Sequence, residues 1–582
     1  MNTRPSANAA VTAADRRALA WLLAAALLVL GAGIGLRDPW PSDEPRFALV
    51  ARTMVESGDW LFPRRGSELY PDKPPMLMWL QALSFTIVRD WRIAFVLPSL
   101  LAGLGTLVLV WDLGRRLWSP RAGLLAALAV LSALMFSFQF KRAQIDPLVT
   151  FEITLANWAL LRHLLLGPHW RLYWFACFVA GLGVITKGVG VIALLMLLPY
   201  ALARRAGWRS LAQTRGDGWR WAAGVPAFLG AIALWLLPMV SVALIRAEPE
   251  YLDYMRNILF DQTARRYAGQ VGGHYGKGWW YFIPVLLLHF FPLSLAYAAG
   301  ARDLRAAWRA RDGRFALLAG WCALVLLFFT LAAGKREVYV LPMLPMLALL
   351  LAPTLLRIEH ATWLRRCSVG LTVLFGAALC ALAGWALSGR WAKLQTTMLE
   401  RGLQADELRP IFLWLAAAGA VFLLAAALGR VRHGVHALLA GLAGLWVVWG
   451  VGVAPLANAS VTSAKVMQAA DRIAGPEGQI GMVAWKEQNL LMAPRPMKDF
   501  GFRNEPAEQF EAAVAWLHEA PDRRWVFARG DVVQACLDRA RVTLAGNANR
   551  WPWWMFRLDA VKPGCRLPQR QPAEAVGDDE PG

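Results

Sequence analysis

Apolar residues occur in long runs separated by short polar stretches through the first 454 residues, after which that rhythm stops. A run must reach about 20 residues to cross hydrocarbon. The first, Trp21 to Leu36, follows a short tail bearing Arg16 and Arg17 and reads as an uncleaved anchor. Further runs centre on 93–113, 122–139, 148–161, 172–186, 188–203, 221–245, 279–299, 315–333, 338–356, 367–388, 410–428 and 435–454. Thirteen spans result, with the two termini on opposite sides. Met76 to Val88 is apolar but short and lies between Pro75 and Arg89, which predicts an interfacial helix.

The polar stretch 37–92 forms the first outer loop. Asp43, Pro45 in the next turn, Phe47, Val50, Ala51, Met54 and Val55 at helical spacing, and Gly58 predict a short amphipathic helix lying in the headgroup layer. Beyond residue 454 the period alternates. Helical patterns at Ala464–Ile473, Ala507–His518 and Val532–Arg539 interleave with strand-like Ile480–Trp485, Trp525–Ala528, Val542–Ala545 and Trp554–Leu558. Residues 455–563 therefore read as a small α/β domain, with 1–454 the membrane domain and 564–582 a polar, disordered tail.

Composition supports the bilayer as main solvent: of 582 residues 57% are hydrophobic and 17% charged, against roughly 25% charged in soluble domains. The formal charge of +21 is scattered between apolar runs instead of concentrated in one soluble unit. Such a pattern suits membrane lipids and phosphate-bearing partners, not nucleic acid. Loops 114–121, 162–171, 204–220, 300–314, 357–366 and 429–434 hold 20 Arg and four acids. By the positive-inside rule they are cytoplasmic, which leaves 37–92 and the α/β segment in the periplasm. Cys536 and Cys565 then lie in an oxidising compartment, where geometry decides whether they pair. Cys177, Cys322, Cys367 and Cys380 sit in or beside apolar runs as small hydrophobes.

Chemistry-bearing residues collect at the outer ends of the runs. Asp43-Glu44-Pro45-Arg46 is followed by Tyr70-Pro71-Asp72-Lys73-Pro74-Pro75, then Arg142-Ala143-Gln144-Ile145-Asp146, Thr186-Lys187-Gly188, His274 before Trp279-Trp280-Tyr281, and Lys335 with Tyr339. In that order they resemble the bacterial aminoarabinose transferases of lipid A and the related protein O-mannosyltransferases, over about residues 20–350. The resemblance implies an all-α polytopic fold of the GT-C class and a sugar donor carried on undecaprenyl phosphate. Phe47, Asp72 and Glu337 depart from the family's usual Tyr, Glu and Pro. These departures bear on substrate identity more than on reaction class.

Cleaving a sugar–phosphate bond builds negative charge on the leaving phosphate, which Lys and Arg stabilise by charge-assisted hydrogen bonds. Lys73, Arg46, Lys335 and Tyr339 are the candidates, with Glu44, Tyr70, Arg142, Asp146, Lys187, Arg265 and His274 as further substrate contacts. Asp43 is the candidate catalytic base or orienting carboxylate. Asp72 with His274 is a two-residue candidate for a divalent metal ion. Plainer roles exist for the same side chains: Asp43 as a helix cap, Arg46 and Lys73 as headgroup anchors, Tyr70 and Tyr339 in an aromatic belt.

The expected activity is transfer of 4-amino-4-deoxy-L-arabinose to lipid A. A hexose transferred to protein or another envelope glycan is the alternative within the class. A lipid-linked sugar flippase would instead show inverted repeats and midplane charges, and an envelope assembly factor would tolerate replacement of Asp43 and Lys73. The orientation is testable: a reporter active only outside the cytoplasm, fused after residue 560, is expected to be active, and one fused within 204–220 silent. The reverse pattern would place the acidic loop in the cytoplasm.

Overall fold

The computed structural model describes residues 11–214, 217–261, 277–391, 393, 396–397, 405–548 and 551–568. Predicted site residues Arg265 and His274 lie outside them, as does most of the polar tail. The chain is mostly helical. Its first helices are α1 (Ala13–Gly31), α2 (Glu44–Ser57), α3 (Met76–Val88), α4 (Leu97–Leu117), α5 (Pro120–Ser132), α6 (Leu134–Phe140), α7 (Ile145–Leu166) and α8 (Trp170–Lys187).

Six helices among the described residues are individually long and apolar enough to cross a membrane, and two sharply bent pairs raise that number to eight. The bent pairs are a finding that apolar length alone did not predict. Run 122–139 folds as α5 and α6 at 67°, and run 279–299 as Trp279–Leu288 and Leu293–Arg309 at 100°. Each break needs partners for the backbone groups it frees, because lipid supplies none. The breaks supply one another: the Leu134 and Met135 amides donate to the Phe291 and His289 carbonyls at 3.1 and 2.9 Å. Run 188–203 is likewise divided, into a 3-10 segment Gly190–Met196 and a helix Leu197–Arg205.

Close helix approach sets the bundle core. A Cβ on Gly123 of α5 would lie 2.5 Å from the Trp111 carbonyl of α4, so only glycine permits this crossing. The main core then runs through Leu107, Val110, Leu160, Trp321 and Leu344, all essentially inaccessible.

Helix α2 follows its predicted boundaries, ending at Gly58 with φ +74° and an amide bond to the Met54 carbonyl. Its apolar side chains, however, meet protein and not headgroups. Phe47, Val50, Ala51 and Met54 pack with Tyr70, Leu77, Met78, Ile145 and Leu148, while Ala48 and Leu49 face the C-terminal segment. Helix α3 is half covered, with Leu77 and Met78 buried and Leu83 and Ile87 exposed, the pattern of a helix resting on an apolar boundary.

Between α2 and α3 a two-residue hairpin pairs β1 (Arg64–Arg65) with β2 (Glu68–Leu69). The C-terminal segment builds a second sheet from β3 (Gln479–Val483), β4 (Lys498–Asp499), β5 (Arg524–Arg529), β6 (Thr543–Ala548) and β7 (Trp551–Phe556), in the order β4-β3-β5-β7-β6. Strand β3 runs parallel to β4 and β5, and β7 antiparallel to β5 and β6. Helix Ala464–Ala474 covers one face through Val466, Met467 and Ala470, and that core is continuous with Ala48, Leu49, Phe95, Val96 and Ala143 of the N-terminal portion. Helix Pro506–Glu519 covers the other through Phe510, Ala513 and Leu517. Cys536 and Cys565 form a disulfide, with Cα atoms 5.4 Å apart. Where the sequence predicted a helix over Val532–Arg539, the chain makes one short turn, Gly530–Val533, and a 3-10 segment Gln534–Cys536.

Candidate functional site

The two motifs of the first loop meet at the ends of α1, α7 and α8. Glu44, first residue of α2, is wholly inaccessible. Its carboxylate accepts two bonds from the Arg37 guanidinium at 2.6 and 2.9 Å, the Trp40 amide at 2.7 Å and the Ala143 amide at 2.7 Å. Arg142 lies 3.7 Å away. Burial pushes this carboxyl upward, but the Arg37 charge and hydrogen bonds, the Arg142 charge and the Trp40 amide outweigh it and hold the group at about 2. Glu44 thus ties the loop to the chain entering α7. Lys141 completes the tie by donating to the Val29 and Ala32 carbonyls at the end of α1, at 2.8 and 2.7 Å.

Asp43 precedes α2 but makes no side-chain capping bond. It faces Arg46 instead, at 3.6 Å. The Arg46 Nε donates to Glu487 Oε1 at 2.8 Å, and the same oxygen faces Arg65 Nη1 at 3.4 Å. Arg65 in turn lies 3.7 Å from Asp72 and stacks 3.6 Å over the Phe502 ring. The result is a line of alternating charge, Asp43, Arg46, Glu487, Arg65, Asp72, whose end carboxylates are partly open at 25% and 35% side-chain exposure. Glu487 is almost wholly buried, and Arg46 and Arg65 overcome that burial to hold its carboxyl below the usual range.

Tyr70 is buried beside this line, with Arg65 5.3 Å from its ring centroid. Its hydroxyl has no hydrogen-bond partner among the described residues. Burial pushes the phenol up despite Arg46 and Arg65, so it remains a proton donor. The Lys73 ammonium reaches the Asp72 carbonyl at 3.3 Å. Asp72, the described half of the candidate cation pair, faces the Arg65 guanidinium at 3.7 Å. The described residues contain no group of three His, Cys, Asp or Glu side chains placed to hold a metal.

A second cluster joins Asp146 at the start of α7 with Lys187 at the end of α8 in an ion pair. The Lys187 ammonium also lies 5.3 Å from the Tyr339 ring. Ile145 and Leu148 pack against Phe47 and Tyr70, which sets this cluster beside the first. Lys335 is buried, and its ammonium donates to the Ala332 carbonyl at 3.0 Å.

Arg37, Arg65 and Glu487 were not among the sequence candidates. Arg37 stands only seven positions before Glu44 and was within reach of a charge-pairing argument. Glu487 is 441 residues from Arg46. The one signal was its position just past the carboxyl end of β3, where α/β sheets commonly place functional groups.

A family model described as dolichyl-phosphate-mannose-protein mannosyltransferase matches residues 72–237. Two curated relatives, each an undecaprenyl phosphate-alpha-4-amino-4-deoxy-L-arabinose arabinosyl transferase, are from Pseudomonas paraeruginosa and Pseudomonas aeruginosa. They are 32% and 31% identical over 425 residues, covering 70% of this chain and 70% of each relative. Among solved structures, apo ArnT from Cupriavidus metallidurans superposes with a TM-score of 0.71 at 20% identity, over 95% of this chain and 100% of that one. The same protein bound to undecaprenyl phosphate gives 0.67 at 21% identity, over 92% and 97%.

Removing one partner of a buried ion pair typically costs about 3–5 kcal/mol. Glu44→Gln is therefore expected to destabilise the protein markedly, read as a large fall in the thermal unfolding midpoint in detergent. Because the folded carboxyl sits near 2 against an ordinary 4.5, its contribution is fully present above pH 4.5 and is lost as pH falls toward 2. The midpoint difference between wild type and Glu44→Gln should be constant at neutral pH and narrow only in that acid window. A difference that instead grew on acidification would contradict the assignment.

Proposed function

The chain belongs to the undecaprenyl phosphate-alpha-4-amino-4-deoxy-L-arabinose arabinosyl transferases, a polytopic membrane glycosyltransferase family, and we propose that it moves 4-amino-4-deoxy-L-arabinose from undecaprenyl phosphate to lipid A. The reaction takes place at the periplasmic face of the bacterial inner membrane, in a chain of thirteen crossings with residues 1–454 as membrane domain and 455–563 as periplasmic domain. The observation that carries this reading is the meeting of Asp43, Arg46, Tyr70 and Asp72 in one charged cluster beside the Asp146–Lys187 pair. The first four motifs with the family likeness converge in space.

In the reaction the bond between the anomeric carbon and the phosphate oxygen breaks, and the phosphate leaves with the electron pair. Lys73 and Arg46 take up the charge that builds there, Lys73 as a point charge and Arg46 through its planar fork. Tyr70, kept protonated by burial, supplies a neutral donor. An acceptor oxygen attacks the cation-like carbon. A phosphate acceptor with a second pKa of about 6 is already ionised at neutral pH, so Asp43 orients it and stabilises the positive centre. A hydroxyl acceptor would pass its proton to the Asp43 carboxylate. Glu44, with both oxygens occupied inside the protein, holds the loop in place without touching substrate. Arg142 and the Asp146–Lys187 pair line the side of the site toward α7 and α8, with Tyr339 beside Lys187, and the family likeness adds Lys335, Arg265 and His274 as further substrate contacts.

The match to the mannosyltransferase family model over residues 72–237 favours a second reading, transfer of a hexose to protein. Mass spectrometry of lipid A and of surface glycans from cells with and without the gene separates the two.

Two substitutions test the roles on purified protein with a defined polyprenyl donor. Asp43→Asn is expected to keep normal protein level, since Asp43 makes no capping bond that the change would break, while turnover on a hydroxyl acceptor falls by roughly 10² to 10⁴. The loss should be smaller on a phosphate acceptor. Wild-type turnover on both would return Asp43 to a structural role. Lys73→Ala should weaken donor use far more than folding, and unchanged donor binding and turnover at normal level would remove it from the phosphate site.

A further inference from the structure

Glu487 is the middle charge of a line that ends on both motifs of the first loop, yet it comes from the C-terminal α/β segment. It opens the helix Glu487–Leu491 immediately after β3 and Trp485. Neighbouring Asn489 anchors that turn, accepting from the Lys486 amide at 2.9 Å and donating to Ser463 at 3.1 Å. The carboxylate is thus delivered by a fixed backbone. It is 3% exposed, and a buried carboxylate persists as an anion only where cations compensate it. Arg46 and Arg65 do so from α2 and the β1–β2 hairpin.

The two arginines differ in what they can do. Arg65 is clamped: its guanidinium stacks on Phe502 at 3.6 Å and is 7% exposed. Arg46 is divided, with Nε on Glu487 at 2.8 Å and Nη1 at the longer distance of 3.6 Å from Asp43. An arginine offered a single carboxylate prefers the bidentate arrangement that engages both of its oxygens. Without the anion of Glu487, Arg46 and Arg65 would repel each other. Arg46 would then turn its whole fork onto Asp43, occupying the oxygens that the acceptor needs.

We propose that Glu487 is a positioning residue for sugar transfer, holding Arg46 off Asp43 and beside Arg65 so that Asp43 faces the acceptor. The C-terminal segment thereby contributes to the chemistry through one side chain, beyond docking on the first loop. This rests on the reading above that Asp43 faces the acceptor.

The test uses the full-length protein in detergent, with undecaprenyl-phosphate-linked aminoarabinose and lipid A. Glu487→Gln keeps the shape and one acceptor oxygen but removes the charge. Its kcat per folded molecule is expected to fall roughly tenfold to a hundredfold, the scale on which a misplaced reacting group acts, and Glu487→Asp should recover part of the loss. Asp499→Asn is the docking control. Asp499 joins the same two segments by accepting from the Ser67 hydroxyl at 2.6 Å and amide at 3.1 Å, away from the charge line, and its kcat should match wild type. A Glu487→Gln kcat within about twofold of wild type overturns the proposal, as does an equal loss in Asp499→Asn, which would reduce Glu487 to docking. Absence of transfer by the wild-type protein would sink the functional reading itself, a separate outcome.

Discussion

A single carboxylate carries the geometry of the site. Glu44 is removed from water completely, and a charge so placed is tolerable only when every oxygen is met by a donor and the net charge is cancelled. Arg37 cancels it, and the Trp40 and Ala143 amides complete the coordination. Those partners come from the chain leaving α1 and the chain entering α7, so satisfying one buried charge fixes where α2 begins relative to the bundle. Asp43 and Arg46 flank Glu44 in sequence and inherit that position.

The membrane imposes the complementary constraint. Where the bundle bends, at Ala133 and near Pro292, freed amides and carbonyls cannot turn to solvent. The two bends answer each other with backbone hydrogen bonds, which lets irregular chain sit inside an otherwise helical bundle. Above it, α2 is covered on both sides, by Tyr70 and α7 on one and by the C-terminal sheet on the other. The site is therefore a seam between two parts of the chain, and its charge line crosses that seam at Glu487.

Much of this was legible in the sequence. Apolar runs and arginine-rich loops announced a polytopic protein, the Asp43 to Gly58 grammar located α2, and period changes past residue 454 announced the α/β segment. That protein covers the apolar face of α2 was not legible, because such a face looks the same whether lipid or protein covers it. Likewise Asp43 reads as a cap by residue type, yet its side chain turns to Arg46. The helix over Val532–Arg539 failed for a related reason: local helical pattern was overridden where the chain turns to place Cys536 opposite Cys565.

By itself the sequence determined that the chain is a polytopic membrane protein, the boundaries of elements such as α2, and the family likeness, because those depend on residues a few positions apart along the chain. Periodicity, capping and charge density are local quantities. The tertiary structure alone decided that Glu44 is buried, that run 122–139 breaks, and that Glu487 reaches Arg46 across 441 residues. An ion pair of that separation exists only after two units have docked, and its strength depends on the burial that docking creates. Nothing in the local pattern around Glu487 encodes either quantity.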